Sequence, residues 1–222
     1  MNPVNPFVNV HSHNLNIEND VIIIHNINPE DKPSAEFKLI SIGIHPWNTN
    51  EFEIEKSLKF ISDNAKRKNV LAIGECGLDK LTGSEINIQE QIFREQISIA
   101  EQSKKPLIIH CVRAFDELIR IRKEMHVTVP MIIHGYNNNL EIARQLLKNE
   151  FYFSFGKALL NGNSNASKII SELNLKKIFF ETDDVNVSIK KIYEAASTIL
   201  QMNMEELKTQ IYFNFNKVFM HE

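Results

Sequence analysis

Apolar residues in this chain come in short β-branched runs, each ended by a polar residue. Phe7-Val8-Asn9-Val10, Val21-Ile22-Ile23-Ile24, Leu39-Ile40-Ser41-Ile42-Gly43-Ile44 and Val70-Leu71-Ala72-Ile73 open the series. Pro106-Leu107-Ile108-Ile109, Pro130-Met131-Ile132-Ile133, Phe151 to Phe155 and Ile178-Phe179-Phe180 complete it. Runs of this length and composition predict strands buried on both faces, as in a parallel sheet. Between most of them the period changes to that of an amphipathic helix. Helices are predicted over Glu53–Lys68, Ile88–Ser103, Ala114–Glu124, Leu140–Lys148, Asn165–Leu173, Ser188–Leu200 and Met204–Val218. The last places Phe213, Phe215, Val218 and Phe219 toward the core. The first two connections are too short for a long crossover helix; the second has Pro29 and Pro33 and at most a helical turn near Ser34-Ala35-Glu36.

Eight strands alternating with helices in 222 residues predict a single-domain α/β protein, a TIM (β/α)8 barrel with shortened first two crossovers. A doubly wound open sheet is the alternative, but it gathers its polar site at one crevice. Here polar residues end strands along the whole chain. The fourth strand, Val70-Leu71-Ala72-Ile73, is the most telling, because it runs into Gly74-Glu75-Cys76-Gly77, where two glycines let the chain turn sharply around a carboxylate.

Of eight histidines, six (His11, His13, His25, His45, His110 and His134) lie at or within three residues of a predicted strand end. A barrel brings its strand C-termini to one face, which would gather His11, His13, Glu75, His110, His134 and Asp183. In His11-Ser12-His13 the two imidazoles are two residues apart on an extended chain and share a side. Any one of these histidines alone would be an ordinary loop or packing residue. Six imidazole and carboxylate donors exceed the needs of one tetrahedral ion and suit two divalent cations, Mg, Mn or Zn, with Glu75 as the bridging ligand. Two such ions would activate water for hydrolysis, and Asp183 could also take the proton from that water. His25 reads as structural.

Composition narrows the partners. A net charge of −3 and a pI near 6.3 exclude a protein that grips nucleic acid mainly through a basic surface. No apolar run reaches the roughly 18 residues of a membrane span, and the N-terminus lacks the pattern of a secretory signal. No obligate protein partner is evident. Cys76 and Cys111 form no CxxC pair, which favours a reducing cytoplasm and a packing role for both.

The ordered motifs His11-Ser12-His13, Gly43-Ile44-His45-Pro46, Gly74-Glu75-Cys76-Gly77-Leu78-Asp79, Ile109-His110-Cys111-Val112-Arg113, His134-Gly135 and Glu181-Thr182-Asp183 resemble those of the TatD-like metal-dependent hydrolases. The C-terminal Asn216-Lys217-Val218-Phe219 is similar to that family's closing signature. The resemblance implies a TIM barrel, a two-metal site and magnesium-dependent deoxyribonuclease activity. It assigns His11, His13 and Asp183 to one ion, His110 and His134 to the other, and Glu75 to both. The chain departs from the pattern at Asn14-Leu15, where the family has Leu-Asp, and after Asp183, where a Pro- and Arg-bearing loop is missing.

The expected substrate is therefore DNA or a small phosphodiester. Arg113, His45 and Lys157 are the candidate substrate contacts, Arg113 as a bidentate phosphate ligand. His45 and Asp79 could instead orient metal ligands. Trp47 could stack on a base or simply pack over the barrel mouth. The competing function is hydrolysis of a small amide, ester or lactone by the same kind of water, since fold alone does not choose the substrate. A catalytically silent binding barrel would not need the full donor set.

Overall fold

The computed structural model describes residues 5–14, 18–30, 37–49 and 53–220. The apolar runs form eight parallel strands whose order in the sheet is their order in the sequence. They are β1 (Phe7–Ser12), β2 (Val21–Ile27), β3 (Leu39–Ile42), β4 (Val70–Asp79), β5 (Leu107–Val112), β6 (Met131–Ile133), β7 (Tyr152–Phe155) and β8 (Ile178–Phe180). The helices among the described residues are α1 (Ile54–Asn64), α2 (Ile86–Ser103), α3 (Phe115–Glu124), α4 (Leu140–Lys148), α5 (Asn165–Ile169), α6 (Ile189–Leu200) and α7 (Met204–Phe215). The fold is the (β/α)8 barrel that the alternation predicts. The described residues of the first two crossovers contain no helix; the turn expected near Ser34-Ala35-Glu36 lies outside the described residues.

The chain divides into two compact units, one made of Met1–His25 with His134–Glu222 and the other of Asn26–Ile133. In the first, β1 pairs with β2 from Phe7 opposite Val21, and β7 with β8 from Phe153 opposite Ile178. The Tyr193 ring of α6 stands edge-on to Phe7 and Phe180, at 5.0 and 4.6 Å. Its hydroxyl accepts from Val8 N and donates to Val8 O, both at 3.1 Å, which ties α6 to β1. Leu207, Ile211 and Phe215 form the buried stripe of α7. That spacing turns Phe213 outward, so it is exposed rather than part of the core, while Phe215, Val218 and Phe219 are buried as expected.

In the second unit β3, β4, β5 and β6 pair in succession. Ile92, Phe93, Ile97 and Ala100 of α2 are buried. The strand β4 does not end at Gly74-Glu75 but continues to Asp79, with a register shift against β5 between Ile73 and Cys76. The glycines therefore serve close approach rather than a turn. A Cβ on Gly74 would lie 2.5 Å from Ile108 O, and one on Gly77 would lie 2.1 Å from His110 O. Their φ values of 150° and 135° are ones that side-chain-bearing residues rarely adopt. The result is a carboxylate inside a strand held hard against its neighbour.

Candidate metal centre

In the first unit, polar residues stitch the end of β1 to the end of β8. Thr182 N donates to Asn9 Oδ1 at 3.1 Å, and Asn9 Nδ2 to Thr182 Oγ1 at 2.8 Å. The Thr182 hydroxyl then reaches Ser12 Oγ at 3.1 Å. Asp183 N donates to His11 O, and His13 N to Asp183 O, both at 3.0 Å. Asp183 sits at φ 53°, a left-handed conformation that the two backbone bonds hold in place. Its carboxylate is delivered to the two imidazoles of the HxH motif. Asp183 Oδ1 lies 3.6 Å from His11 Nε2 and 3.7 Å from His13 Nε2.

Those separations exceed hydrogen-bond length. Donors each about 2.1 Å from a shared cation lie roughly 3.0–3.5 Å apart, so the three groups fit a divalent ion with a small inward adjustment. Their candidate ligand atoms all fall within 4.8 Å of one another. His11 is fully buried, whereas His13 is open to solvent. The ring of His134, which follows β6, lies 4.6 Å from the His11 ring.

Glu181 holds that fourth imidazole. Its Oε1 accepts from Gly135 N at 2.7 Å and lies 3.3 Å from His134 Nδ1. Hydrogen bonding there leaves Nε2 of His134 as the donor atom for a cation. The second oxygen, Oε2, is buried with no hydrogen-bond partner among the described residues, in a residue with no solvent exposure. An unsatisfied buried carboxylate oxygen is costly, so the pocket suits added positive charge.

The second unit carries the other cluster. Glu75 is 4% exposed, and its backbone N–H donates to Asn26 Oδ1 at 2.6 Å. Glu75 Oε1 lies 3.0 Å from both His45 Nε2 and His110 Nδ1. His45 Nδ1 accepts from Trp47 N at 3.1 Å, so the His45 proton resides on Nε2 and is offered to Glu75. His110 Nε2 is 3.2 Å from Asp79 Oδ2.

Asp79 is the anchor of this side. It is almost fully buried and accepts from Trp47 Nε1 at 2.7 Å, Leu81 N at 2.7 Å and Thr82 N at 3.1 Å. Burial favours its neutral acid, but hydrogen bonds from the Trp47 indole, the Leu81 amide and His110 outweigh it and hold the carboxyl below its usual range. An ionised Asp79 accepts a hydrogen bond from Nε2–H of His110. The other nitrogen then faces a carboxylate at 3.0 Å, a gap that only a second proton or a cation closes favourably.

Two residues that the sequence pattern did not single out hold this cluster from α2. Gln96 accepts from Ile44 N at 2.7 Å and donates to Ile44 O at 3.1 Å, fixing the residue before His45. Gln89 accepts from Asp79 N at 2.7 Å and donates to Asp79 O at 2.9 Å. Both are buried on the apolar face of α2, seven positions apart. A polar pair recurring at that spacing on a greasy stripe is the signal that could have found them.

The structure places the remaining candidates as follows. His45, expected at the substrate, is joined to Glu75. Lys157, after β7, is exposed and pairs with Asp184 at 3.1 Å. Arg113 follows β5, exposed, at φ 55°. His25 is buried within β2. Burial pushes the Cys111 thiol up to about 12 and raises that of Cys76 well above its ordinary value, which removes both as nucleophiles.

Imidazoles and carboxylates grouped at the strand ends of a parallel barrel define a metal-dependent hydrolase. The model of the TatD related DNase family matches residues 24–220, and the chain belongs to that family. The uncharacterized metal-dependent hydrolase YabD of Bacillus subtilis is 28% identical over 83% of this chain and 78% of its own. A putative deoxyribonuclease, the TATDN1 homologue of Enterocytozoon bieneusi, is 26% identical over 82% of this chain and 66% of its own. The solved structure of YjjV, a TatD homologue from Escherichia coli, superposes with a TM-score of 0.80 at 18% identity, covering 98% of this chain and 99% of that one.

Proposed function

We propose that the chain is a deoxyribonuclease or phosphodiesterase that works with two divalent ions. His11, His13 and Asp183 hold one ion, and Glu75 and His110 supply donors to the second. His134, held by Glu181, is the remaining imidazole ligand; the sharing of Glu75 by both ions is carried over from the family resemblance. When bound, the ions supply an acidified water and charge stabilisation at the phosphoryl oxygens. Asp183 accepts the proton of the attacking water, and Asp79 and Glu181 keep His110 and His134 in the tautomers that ligation needs.

The observation that carries this reading is the placement of Asp183 Oδ1 3.6 and 3.7 Å from the two HxH imidazoles. Membership of a DNase-related family and likeness to the putative deoxyribonuclease of Enterocytozoon support DNA as the substrate class. Lys157 is a weaker phosphate contact than its sequence position suggests, because Asp184 already balances its charge. Two free cysteines, Cys76 and Cys111, support a cytoplasmic location. Among the described residues no helix is long and apolar enough to cross a membrane.

The test is hydrolysis of labelled single-stranded DNA beside generic phosphodiester, carboxylic ester and amide substrates. Each is offered to chelator-treated protein resupplied with Mg, Mn or Zn. Metal-dependent release of nucleotides is expected. Cleavage of the carbonyl substrates alone would replace the nuclease reading with that of an amidohydrolase-like enzyme.

A further inference from the structure

Trp47 is the chain's only tryptophan, and 52% of its surface is open to solvent. It is nevertheless fixed. Its indole N–H donates to Asp79 Oδ2 at 2.7 Å and its backbone N–H to His45 Nδ1 at 3.1 Å. Its ring meets those of His45 and His110 nearly edge-on, with centroids 4.7 and 5.8 Å away. The turn that carries it (Pro46–Asn48) is clamped in turn. Thr49 Oγ1 donates to Pro46 O at 2.7 Å, the Thr49 and Ser84 hydroxyls share a hydrogen bond of 2.6 Å, and a Cβ on Gly83 would lie 2.4 Å from Pro46 O.

The indole N–H has a role, since it helps keep Asp79 ionised. The open ring face has none among the described residues. A large apolar face held rigid and left wet, beside two imidazoles that bear on Glu75, is a preformed stacking surface. Asp79 also lines a cavity of about 610 Å³ bounded by Lys80 to Asn87, where Thr82, Ser84 and Asn87 bring polar groups. Ligand sites commonly occupy roughly 300–1,000 Å³, so this cavity, lined by the same Asp79 that holds the indole N–H, is of ligand size.

We propose that the open face of Trp47 is the platform on which a nucleobase of the substrate stacks, selecting ends whose bases are not already stacked in a duplex. Every base has a π face, so this contact tolerates any sequence while rejecting a base-free backbone. The catalytic part of the statement rests on the phosphodiesterase reading above; the binding part does not.

The single tryptophan makes the test direct. Its fluorescence, excited at the red edge of its absorption, is followed while metal-loaded protein is titrated with deoxyadenosine monophosphate or with 2-deoxyribose 5-phosphate. Saturable quenching by the nucleotide is expected, with the base-free sugar phosphate, read by its displacement of the nucleotide, binding about 5- to 150-fold more weakly. Equal affinity for the two, or no quenching by either, overturns the platform. A second measurement keeps the two readings apart. The ratio of kcat/KM for a dinucleotide over the same phosphodiester lacking its bases should fall about tenfold or more in Trp47→Leu, and recover in part in Trp47→Phe, which keeps a ring. An unchanged ratio also overturns the platform. Quenching without hydrolysis of any phosphodiester would sink the nuclease reading and leave the platform standing.

Discussion

The Asp79 carboxylate and the His110 imidazole are joined at 3.2 Å through Nε2, and this contact decides which way His110 faces Glu75. With Nε2–H committed to Asp79, the lone pair of Nδ1 is left 3.0 Å from Glu75 Oε1. The pair has opposite needs at its two ends: a proton on one nitrogen and a cation at the other. A carboxylate placed behind a histidine ligand in this manner fixes its tautomer and raises its basicity.

Replacing Asp79 by Asn should therefore weaken metal binding without unfolding the loop, because the Asn oxygen can still accept from Leu81 N. Affinity at the Glu75–His110 pair is expected to drop about 10- to 100-fold. Calorimetric titration of chelator-treated protein with Mn measures it. Wild-type affinity in Asp79→Asn would mean that His110 does not bind metal through Nδ1.

Metal counting separates the two clusters. Asp183→Ala should lose the ion of the His11–His13 set and retain the other, while Glu75→Ala should lose the ion beside His110. If Glu75 is shared, as the family resemblance implies, its removal empties both positions. Elemental analysis of proteins purified without chelator reads the outcome, and unchanged metal content in Asp183→Ala would exclude that residue as a ligand.

Gly77→Ala tests the close approach of β4 to β5. The added methyl would sit 2.1 Å from His110 O at a φ of 135°, so either the strand pairing opens or His110 moves. A loss of about 2 kcal/mol or more is expected, together with reduced metal content, because His110 is the displaced residue. Urea unfolding and elemental analysis on the same sample measure both. A variant of wild-type stability would show that β5 can shift freely.

The strand runs were legible because they rest on short-range pattern, and polar residues ending those runs marked HxH, Glu75, His110, His134 and Asp183 as candidates. What lay beyond that pattern was the set of groups that orient those candidate side chains. Glu181 reads as the first half of a motif, and only its Oε1 contact with His134 and Gly135 shows what it holds. Gln89 and Gln96 look like solvated helix positions, since glutamine is usually exposed, and their work depends on backbone atoms of a distant loop and strand. The glycines beside Glu75 were misread as a turn for a related reason. Local sequence shows that a backbone is permissive, but not which neighbour it must approach. Phe213 failed more simply, being an aromatic residue on the wrong side of a helix whose stripe is Leu207, Ile211 and Phe215.

Gln96→Ala should be costly although it touches no ligand. Ile44 N and O would lose their partners inside the protein, and unsatisfied buried groups cost about 1–3 kcal/mol each. The cost should come with weaker metal binding, since Ile44 precedes His45. Gln96→Glu, which keeps one acceptor, should recover part of it. Thermal unfolding of the three proteins with and without Mn checks the order; equal stability of Gln96→Ala and wild type would refute the clamp.

Glu101 provides a pH dependence remote from the metal residues. Its carboxylate accepts from Thr128 N at 2.6 Å, Val129 N at 2.9 Å and Thr128 Oγ1 at 2.7 Å, tying α2 to the segment that enters β6. Burial pushes its pKa up, but these hydrogen bonds and the nearby Arg122 outweigh burial and hold it below the ordinary 4.5. A group whose pKa is lowered on folding stabilises the protein above its unfolded-state value, and that stabilisation disappears as pH falls through the folded value. Glu101→Gln should therefore be less stable than wild type at pH 7, with the gap narrowing below about pH 4 as the wild-type carboxyl takes up its proton. Urea unfolding of both proteins across that range measures the gap. A difference that stays constant with pH would show that the lost stability comes from packing and not from the charge of Glu101.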